Sequence, residues 1–346
     1  MENAEENLLD IGAGLKLWYR TWGNKANGIP VLFVHGGPGN CVADEEDDVS
    51  NVKFFDKDKF FVIEVDQRGT GKSQPSVRED FKNMEIYGDI SIEKMSADFE
   101  LIRGKLGIQR WLVFGGSWGS TLGLHYAQSY PRSCLGLIIR GIFLNTKDEF
   151  DAVYAKKSYE NNAHRLKEFK IFFEFAAKEA IAREEPALDP NDTERLIRLY
   201  ESMIINGNHQ AMWHFHVFEN NLMEENPANL LDPLVISEDV LPIAASVSFF
   251  ESRLFLRGTF EDPICLLDDV KKLKEIPVRT WVVQGTRDEV CPDKFARELV
   301  AKLEAEGVPH TAHFVDGGHL PSSNAIFVAL NECVEDFLLT MSEIEN

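Results

Sequence analysis

The segment Trp111–Ser120 places a serine where its hydroxyl could act as a nucleophile. Four apolar residues lead into Gly115-Gly116-Ser117-Trp118-Gly119, and the amphipathic stretch Ser120–Tyr130 follows directly. A G-x-S-x-G sequence between a strand and a helix is typical of a nucleophile elbow, in which small neighbours let a strained turn avoid backbone clashes. Ser117 would also lie at a helix N-terminus, where the helix dipole favours developing negative charge. We therefore predict that Ser117 is a nucleophile.

A second glycine-rich turn follows an earlier apolar strand candidate. Pro30–His35 runs into Gly36-Gly37-Pro38-Gly39. The tetrahedral intermediate formed at an elbow serine needs two backbone N–H donors, one from the residue after the serine and one from a loop after an earlier strand. Trp118 and the pair Gly36 and Gly37 are therefore the predicted oxyanion-hole residues. The alternative interpretation of the glycine loop is an ordinary tight turn.

The C-terminal part of the chain supplies an acid and then a histidine, the order in which they follow the serine of such an elbow. Asp288 follows the strand candidate that begins at Val278, and His319 follows the shorter candidate that begins at Thr311. Asp316 is the rival acid, but it lies too close to His319 in sequence to occupy a separate loop. We expect Asp288 to orient His319, and His319 to act as the general base.

These loops require an alternation of strands and helices. The strand candidates before the middle of the chain are Leu15–Gly23, Pro30–His35, Phe60–Asp66, Arg110–Gly115 and Leu135–Gly141. Near-continuous apolar runs indicate strands buried on both faces, hence a mostly parallel sheet with helices on both faces. Helical periodicity then dominates, in Ala163–Ala182, Asp192–Ile205 and Gln210–Met223, before alternation resumes and ends with the helix Asn324–Met341. The predicted α/β catalytic core is 1–141 with 272–346, and 142–271 is predicted to be a helical cap, a lid over the active site.

Composition excludes several partners. Among 346 residues, 36 lysines and arginines face 57 aspartates and glutamates, giving a formal net charge of −21. Such a surface repels nucleic acid and anionic membranes, and we expect neither as a partner. The acidic run Asp44–Asp48 is expected to be a solvated loop. An odd number of cysteines, five, and an N-terminus unlike a signal peptide favour a reducing, cytoplasmic location.

Two motifs that suggest a phosphate or dinucleotide ligand are incomplete. Gly71-Lys72-Ser73 lacks the glycine that a phosphate loop needs upstream, and Gly12-Ala13-Gly14 lacks a third glycine and a preceding strand candidate. Asp66-Gln67-Arg68-Gly69 is expected to be a structural turn whose Asp66 and Arg68 bond neighbouring loops. The sequence pattern suggests no cluster of metal ligands, so we expect no cofactor, no metal and no effect of chelators.

Four motifs together resemble those of the proline iminopeptidases, which are α/β-hydrolases of the S33 peptidase type. They are His-Gly-Gly-Pro-Gly at His35, Asp-Gln-Arg-Gly-x-Gly-x-Ser at Asp66, Gly-Gly-Ser-Trp-Gly-Ser at Gly115, and the late Gly-Gly-His that ends at His319. The resemblance implies an α/β-hydrolase fold and removal of N-terminal proline from small peptides by a serine triad, without metal or cofactor. It makes Ser117 the nucleophile, Asp288 the orienter and His319 the base.

The resemblance also implies a substrate site. Two glutamates of the helical segment match family positions that bind the proline ammonium: Glu219, in Phe215-His-Val-Phe-Glu219, and Glu251, in Glu251-Ser-Arg-Leu-Phe255. Phe143, Phe255 and Cys291 match positions at the small apolar pocket for the pyrrolidine ring. Phenylalanines replace two family tryptophans before Glu219, which leaves open whether other small N-terminal residues such as alanine are accepted.

Two other functions stay open at this stage. One is an esterase or amidase of the same fold without the amine-binding glutamates, and the other is a hydrolase-fold receptor for a small ligand. The glutamates distinguish the peptidase from the esterase, and an intact triad argues against the receptor, because fold alone does not decide function. The sequence leaves the oligomeric state open.

Overall fold

The computed structural model describes residues 4–42, 54–160, 162–224 and 226–344, so the acidic run Asp44–Asp48 lies outside the described residues. The chain divides into two compact units. The first comprises 1–75, 92–144 and 265–346, and the second comprises 76–91 and 145–264. The predicted division placed 76–91 in the core, whereas these residues belong to the second unit. That assignment depends on long-range packing, such as Tyr87 against Phe250 at 5.6 Å.

An eight-stranded sheet forms the centre of the first unit, in the order β1-β2-β4-β3-β5-β6-β7-β8. Strands β3 to β8 run parallel, while β1 and β2 are antiparallel to their neighbours. The mostly parallel sheet predicted from apolar runs is therefore confirmed. The strands are β1 (Glu5–Gly12), β2 (Leu15–Gly23), β3 (Ile29–Val34), β4 (Phe60–Val65), β5 (Trp111–Gly116), β6 (Cys134–Arg140), β7 (Thr280–Gly285) and β8 (His310–Val315).

The helices of both units are α1 (Ile92–Lys105), α2 (Trp118–Ser129), α3 (Lys147–Tyr154), α4 (Ala163–Ala182), α5 (Thr193–Ile205), α6 (His209–Met223), α7 (Leu241–Leu256), α8 (Asp293–Ala305) and α9 (Asn324–Ile344). Five of these helices lie within a few residues of the bounds predicted from helical periodicity, namely α2, α4, α5, α6 and α9. Asp192 caps α5, because its side chain accepts a hydrogen bond from the Arg195 backbone N–H. Among the described residues, none of the helices has the combination of length and apolar composition that a membrane span requires.

Strand β1 is absent from the sequence prediction. Most of its residues are exposed, and it carries acidic side chains where a buried strand would carry apolar ones. It forms through pairing with β2, and the intervening Gly12-Ala13-Gly14 is the tight turn between them, with positive φ at each residue. The expectation that no strand precedes these glycines is therefore wrong, although the dinucleotide motif still lacks its third glycine.

The second unit has an aromatic core that fixes the orientation of α6. Phe172 of α4 stacks on Tyr200 of α5 at 4.3 Å and on Phe218 of α6 at 4.4 Å. Phe215, one turn before Phe218, is also fully buried. Offset-stacked rings contribute directional stability beyond their buried area. These contacts determine which side of α6 carries Glu219, the residue after Phe218.

Candidate active site

Ser117 lies at the strained turn between β5 and α2. Its backbone has φ 57° and ψ −129°, and its N–H donates to the Arg140 carbonyl at 3.0 Å. A Cβ atom on Gly115 would lie 2.3 Å from the Gly119 carbonyl oxygen, and one on Gly119 would lie 2.2 Å from the Val34 carbonyl oxygen. Both positions therefore require glycine, as the elbow motif predicts.

Ser117, His319 and Asp288 form a continuous hydrogen-bonded chain within the first unit. The Ser117 hydroxyl lies 3.0 Å from His319 Nε2, and His319 Nδ1 lies 2.8 Å from Asp288 Oδ2. His319 and Asp288 are buried, while Ser117 is partly exposed. A nucleophile bonded to a base that is bonded to an orienting carboxylate is the geometry of a serine triad. The structure thus brings together three residues that lie far apart in sequence.

The Asp288 carboxylate is held by its own loop. Its Oδ1 accepts the backbone N–H groups of Val290 at 3.0 Å and Cys291 at 2.8 Å, and Gln284 Nε2 donates to Oδ2 at 3.3 Å. Burial opposes ionisation, but His319 and the two backbone N–H groups outweigh it and hold the pKa of Asp288 below its ordinary value. Asp288 is therefore ionised and suited to orienting the imidazole.

Two of the predicted oxyanion-hole residues, Gly36 and Trp118, lie beside Ser117. A Cβ atom on Gly36 would lie 3.5 Å from Ser117 Cβ, so the Gly36 backbone passes close to the nucleophile. Gly37 has φ 111°, a conformation that side chains disfavour. Trp118, the residue after the serine, donates from its indole Nε1 to Gln67 Oε1 at 3.0 Å. These glycines are suited to bringing backbone N–H groups close to a substrate carbonyl.

Gln67 is a residue whose importance the sequence prediction missed. Its backbone N–H donates to His35 Nε2 at 3.1 Å, and its side-chain Nε2 donates to the His35 carbonyl at 3.0 Å. Together with the indole contact, these bonds connect the glycine loop to the elbow. Gln67 belongs to the Asp66–Gly69 turn, in which Asp66 accepts the Val42 and Lys72 N–H groups, as predicted for a structural turn.

Arg140 is a second residue that the prediction missed. It ends β6, and its Nη1 donates to the His319 carbonyl at 2.9 Å. Its side chain occupies the space that a Cβ atom on Gly116 would need, since that atom would lie 2.3 Å from Arg140 Nε. Arg140 therefore holds the histidine loop against the elbow strand. The motif around Ser117 contains an unexplained glycine, Gly116, and this contact accounts for it.

Phe143 and Cys291 also lie in the first unit. The Phe143 backbone N–H donates to Ser120 Oγ at 3.1 Å, and its carbonyl accepts from Thr121 Oγ1 at 2.6 Å, which places it beside the first turn of α2.

The Sγ atom of Cys291, a carboxylate oxygen of Asp288 and a ring nitrogen of His319 all lie within 4.8 Å of one another. The expectation that no cluster of metal ligands exists is therefore wrong, because Cys291 and His319 meet only in the folded chain.

Glu219 and Glu251 are brought together in the second unit. Their carboxyl groups interact directly, and the Tyr154 hydroxyl donates to Glu219 Oε1. Burial raises the pKa of Glu219 to about 7. Burial, with the charge of Glu219 added, raises the pKa of Glu251 well above its ordinary value. The pair thus retains a proton near neutral pH when no cation is present.

The glutamate pair has no cationic partner among the described residues, since neither carboxyl forms an ion pair with a lysine or arginine there. The buried Oε2 of Glu251 receives no bond from a donor in the described part of the chain outside the pair itself. Phe255, one turn after Glu251 on α7, packs edge-on against Phe150 at 5.1 Å. Buried carboxylates are costly unless paired, so this arrangement is suited to binding a cation.

Comparisons with known proteins show the family of the chain. A family model described as the alpha/beta hydrolase fold matches residues 29–324. A proline iminopeptidase of Neisseria gonorrhoeae is 31% identical over 330 residues, 93% of each chain. One of Arabidopsis thaliana is 32% identical and covers 89% of this chain and 74% of its own length. A probable proline iminopeptidase of Leptolyngbya boryana is 31% identical, with 96% of this chain and 94% of the relative covered.

Two solved structures share the fold at low identity. A proline iminopeptidase-related protein from Thermus thermophilus aligns with a TM-score of 0.58 at 18% identity, over 98% of both chains. A putative lipase from Acinetobacter baumannii aligns with a TM-score of 0.57 at 16% identity, over 98% of this chain and 93% of its own. These likenesses show the fold alone, whereas the sequence relatives show the family. The chain belongs to the proline iminopeptidase family of α/β hydrolases.

Proposed function

We propose that this protein is a serine exopeptidase that releases N-terminal proline from small peptides through an acyl-enzyme. The observation that carries the proposal is the buried glutamate pair without a cation, found in a chain with a hydrogen-bonded triad. Family membership supports the same reaction, since the relatives are named proline iminopeptidases. The reaction needs no resident metal or cofactor.

In the proposed mechanism the triad performs both half-reactions. Ser117 Oγ attacks the carbonyl carbon of the N-terminal residue while its proton passes to His319 Nε2. The oxyanion accepts the backbone N–H of Trp118 and one from the Gly36-Gly37 loop. His319 then gives the proton to the departing amine, which leaves with the rest of the peptide. Water, activated by the same histidine, hydrolyses the prolyl ester and releases free proline.

The glutamate pair supplies the specificity in this proposal. A secondary ammonium carries one positive charge and two N–H donors, which two adjacent carboxylates can accept. Binding the ammonium lowers the cost of ionising the pair, so the proton that Glu219 and Glu251 share leaves as the substrate binds. A blocked or neutral amine offers no such compensation. An exopeptidase that acts only on free amino termini follows from this requirement.

We propose that Phe143, Phe255 and Cys291 line the pocket for the pyrrolidine ring. Each side chain is apolar or weakly polar, and Phe255 and Cys291 are buried. A small apolar pocket excludes long side chains more effectively than it separates proline from alanine. The helical segment, predicted as a cap over the core, contributes the glutamates and Phe255 in this proposal.

The decisive experiment compares two substrates that differ only at the amine. Hydrolysis of a prolyl arylamide is measured beside that of the N-acetylprolyl arylamide, with an uncharged acyl ester to report the triad alone. We expect kcat/KM for the free amine to exceed that for the blocked amine by about 100-fold or more, because an unpaired buried charge site costs several kcal/mol. The ester should be turned over by the same serine.

Equal turnover of the free and blocked amines would remove the amine-binding role and leave a general esterase or amidase of this fold. Turnover of none of the three substrates by folded protein would instead support a receptor. A prolyl arylamide rate unaffected by a serine-directed organophosphate would contradict the triad itself.

A further inference from the structure

We propose that Asp288, Cys291 and His319 form an inhibitory binding site for Zn²⁺. One ligand atom from each of these residues lies within 4.8 Å of the other two. Zinc binds carboxylate oxygen, thiolate sulfur and imidazole nitrogen at about 2.0–2.3 Å, which places the ligands of a tetrahedral site about 3.5 Å apart. Only small displacements are needed, since ligand atoms at the 4.8 Å limit would close by about 1 Å, and His319 Nδ1 and Asp288 Oδ2, now 2.8 Å apart, would separate by less than about 1 Å.

Charge and ligand type both favour zinc at this position. An aspartate and a cysteine thiolate together neutralise a divalent cation, and a neutral imidazole completes three protein ligands. The thiol proton of Cys291 passes to solvent when the metal binds. Three protein ligands leave a fourth position for water.

The loop that carries these residues is ordered independently of any metal. The Cys291 N–H donates to Asp288 Oδ1 at 2.8 Å, and Gln284 Nε2 donates to the Cys291 carbonyl at 2.8 Å. Asp288 and Cys291 thus belong to one hydrogen-bonded loop after β7, and His319 comes from the loop after β8. Polar contacts behind the ligands are what orient them in established metal sites.

Zinc at this site would stop the triad, since it occupies the histidine and carboxylate that activate Ser117. The inference goes beyond the proposed substrate, because inhibition would apply to any acyl substrate of Ser117. The thiol thereby makes the catalytic machinery sensitive to thiophilic divalent cations.

Direct binding provides the first test and requires no activity. The Ser117→Ala protein is titrated with Co²⁺, which reports a bound thiolate by a near-ultraviolet charge-transfer band, and with Zn²⁺ by calorimetry. We expect one cobalt site that shows this band. Cys291→Ser should lower the zinc affinity about 10-fold or more, because even the loss of a residue that only hydrogen-bonds to a metal ligand lowers metal affinity by about 10–100-fold. Cys265→Ser is the matched control, since Cys265 is exposed and lies outside the cluster.

Inhibition provides the second test, with each variant measured against its own uninhibited rate on both a prolyl arylamide and an uncharged ester. Zn²⁺ should inhibit both substrates, a chelator should restore activity, and Cys291→Ser should raise the inhibitory concentration about 10-fold or more while Cys265→Ser leaves it unchanged. Absence of the cobalt band in Ser117→Ala, which needs no change at Cys291, would overturn the proposal. So would equal zinc affinity in Cys291→Ser and its parent.

Discussion

The triad and the glutamate pair are both buried polar groups, but their surroundings differ. Asp288 accepts backbone N–H groups and lies beside His319, and its pKa stays below the ordinary value despite burial. Glu219 and Glu251 have Tyr154 and each other, and burial raises the pKa of both. The first group is complete without a ligand. The second lacks the positive charge that would stabilise its ionised form.

This difference separates two tasks of an enzyme. Catalytic groups gain from being preorganised, because no reorganisation is then needed at the moment of reaction. A binding site that lacks a partner for its buried charge discriminates between ligands, because only a ligand of opposite charge offsets the free-energy cost of that charge. Substitutions in the two regions should therefore have different signatures: loss of turnover on every substrate for the triad, and loss of discrimination for the glutamates.

Ser117→Ala is expected to give the largest effect. Removal of a triad nucleophile should lower kcat by about 10⁶-fold on both prolyl arylamides and uncharged esters, because no other group attacks the carbonyl. Peptide binding, measured by calorimetry, should remain. Matching circular dichroism spectra of variant and parent provide the control for folding. Residual activity above about 1% of the parent on either substrate would contradict the assignment of Ser117.

Glu219→Gln and Glu251→Gln should affect only substrates with a free amine. Each change keeps the shape of the side chain but removes one carboxylate. The kcat/KM for a prolyl arylamide should therefore fall by an amount that corresponds to a loss of about 2–4 kcal/mol of transition-state stabilisation. An uncharged ester with the same leaving group should lose little. Glu201→Gln is a matched control, since that α5 glutamate is also buried but pairs with Arg253 at 2.8 Å.

An equal loss on charged and uncharged substrates would mean that the glutamates support the second unit structurally. Unchanged activity on both kinds of substrate would mean that the substrate amine binds to other residues. Either result would leave the assignment of the triad unchanged but would contradict the proposed role of Glu219 and Glu251 in substrate specificity.

The two regions also differed in how far the sequence predicted them. Ser117, Asp288 and His319 each follow a strand pattern at a sharp turn, so local residues were enough to propose the triad. The contacts that hold it in place were not predictable in this way. Gln67 and Arg140 act on segments far away in the chain, the latter across 179 positions to His319, and no local pattern encodes such a bond.

The glutamates required the family resemblance, because a glutamate on an amphipathic helix is ordinarily a solvated residue. Phe215 and Phe218 gave apolar periodicity for α6, but not their edge-on and stacked contacts with Phe172, which orient Glu219. Tyr154 was missed for the same reason. Strand β1 was missed because its side chains are mostly exposed, so it has no apolar alternation and depends on backbone pairing with β2.

The glutamate pair should make the folded protein less stable as pH rises. The pKa of Glu219 in the folded chain is about 7, above the ordinary value of 4.5, so the folded state binds more protons than the unfolded state between these values. The stability contributed by the protonated carboxyl is complete below pH 4.5 and is lost as pH rises through about 7. Glu219→Gln should therefore be about 1–3 kcal/mol more stable than the parent at pH 8, with a much smaller difference near pH 4.

Urea denaturation of the variant and the parent at the two pH values measures this difference. A variant that is less stable than the parent at pH 8 would show that the carboxylate of Glu219 is already compensated in the free protein. The site would then be complete, like the triad, and the contrast between the two regions would disappear.

Tyr154→Phe should give the smallest effect and tests how the pair is tuned. The Tyr154 hydroxyl donates to Glu219 Oε1, and a hydrogen bond to a carboxylate favours its ionised form. Its removal should raise the pKa of Glu219 further, by about 1 unit or less. The acid limb of the kcat/KM profile for a prolyl arylamide should move to higher pH by the same amount. The pH profile for an uncharged ester should not shift, because the ester makes no contact with Glu219 and Glu251. An equal shift of the pH profiles of both substrates would mean that Tyr154→Phe acts on the triad instead.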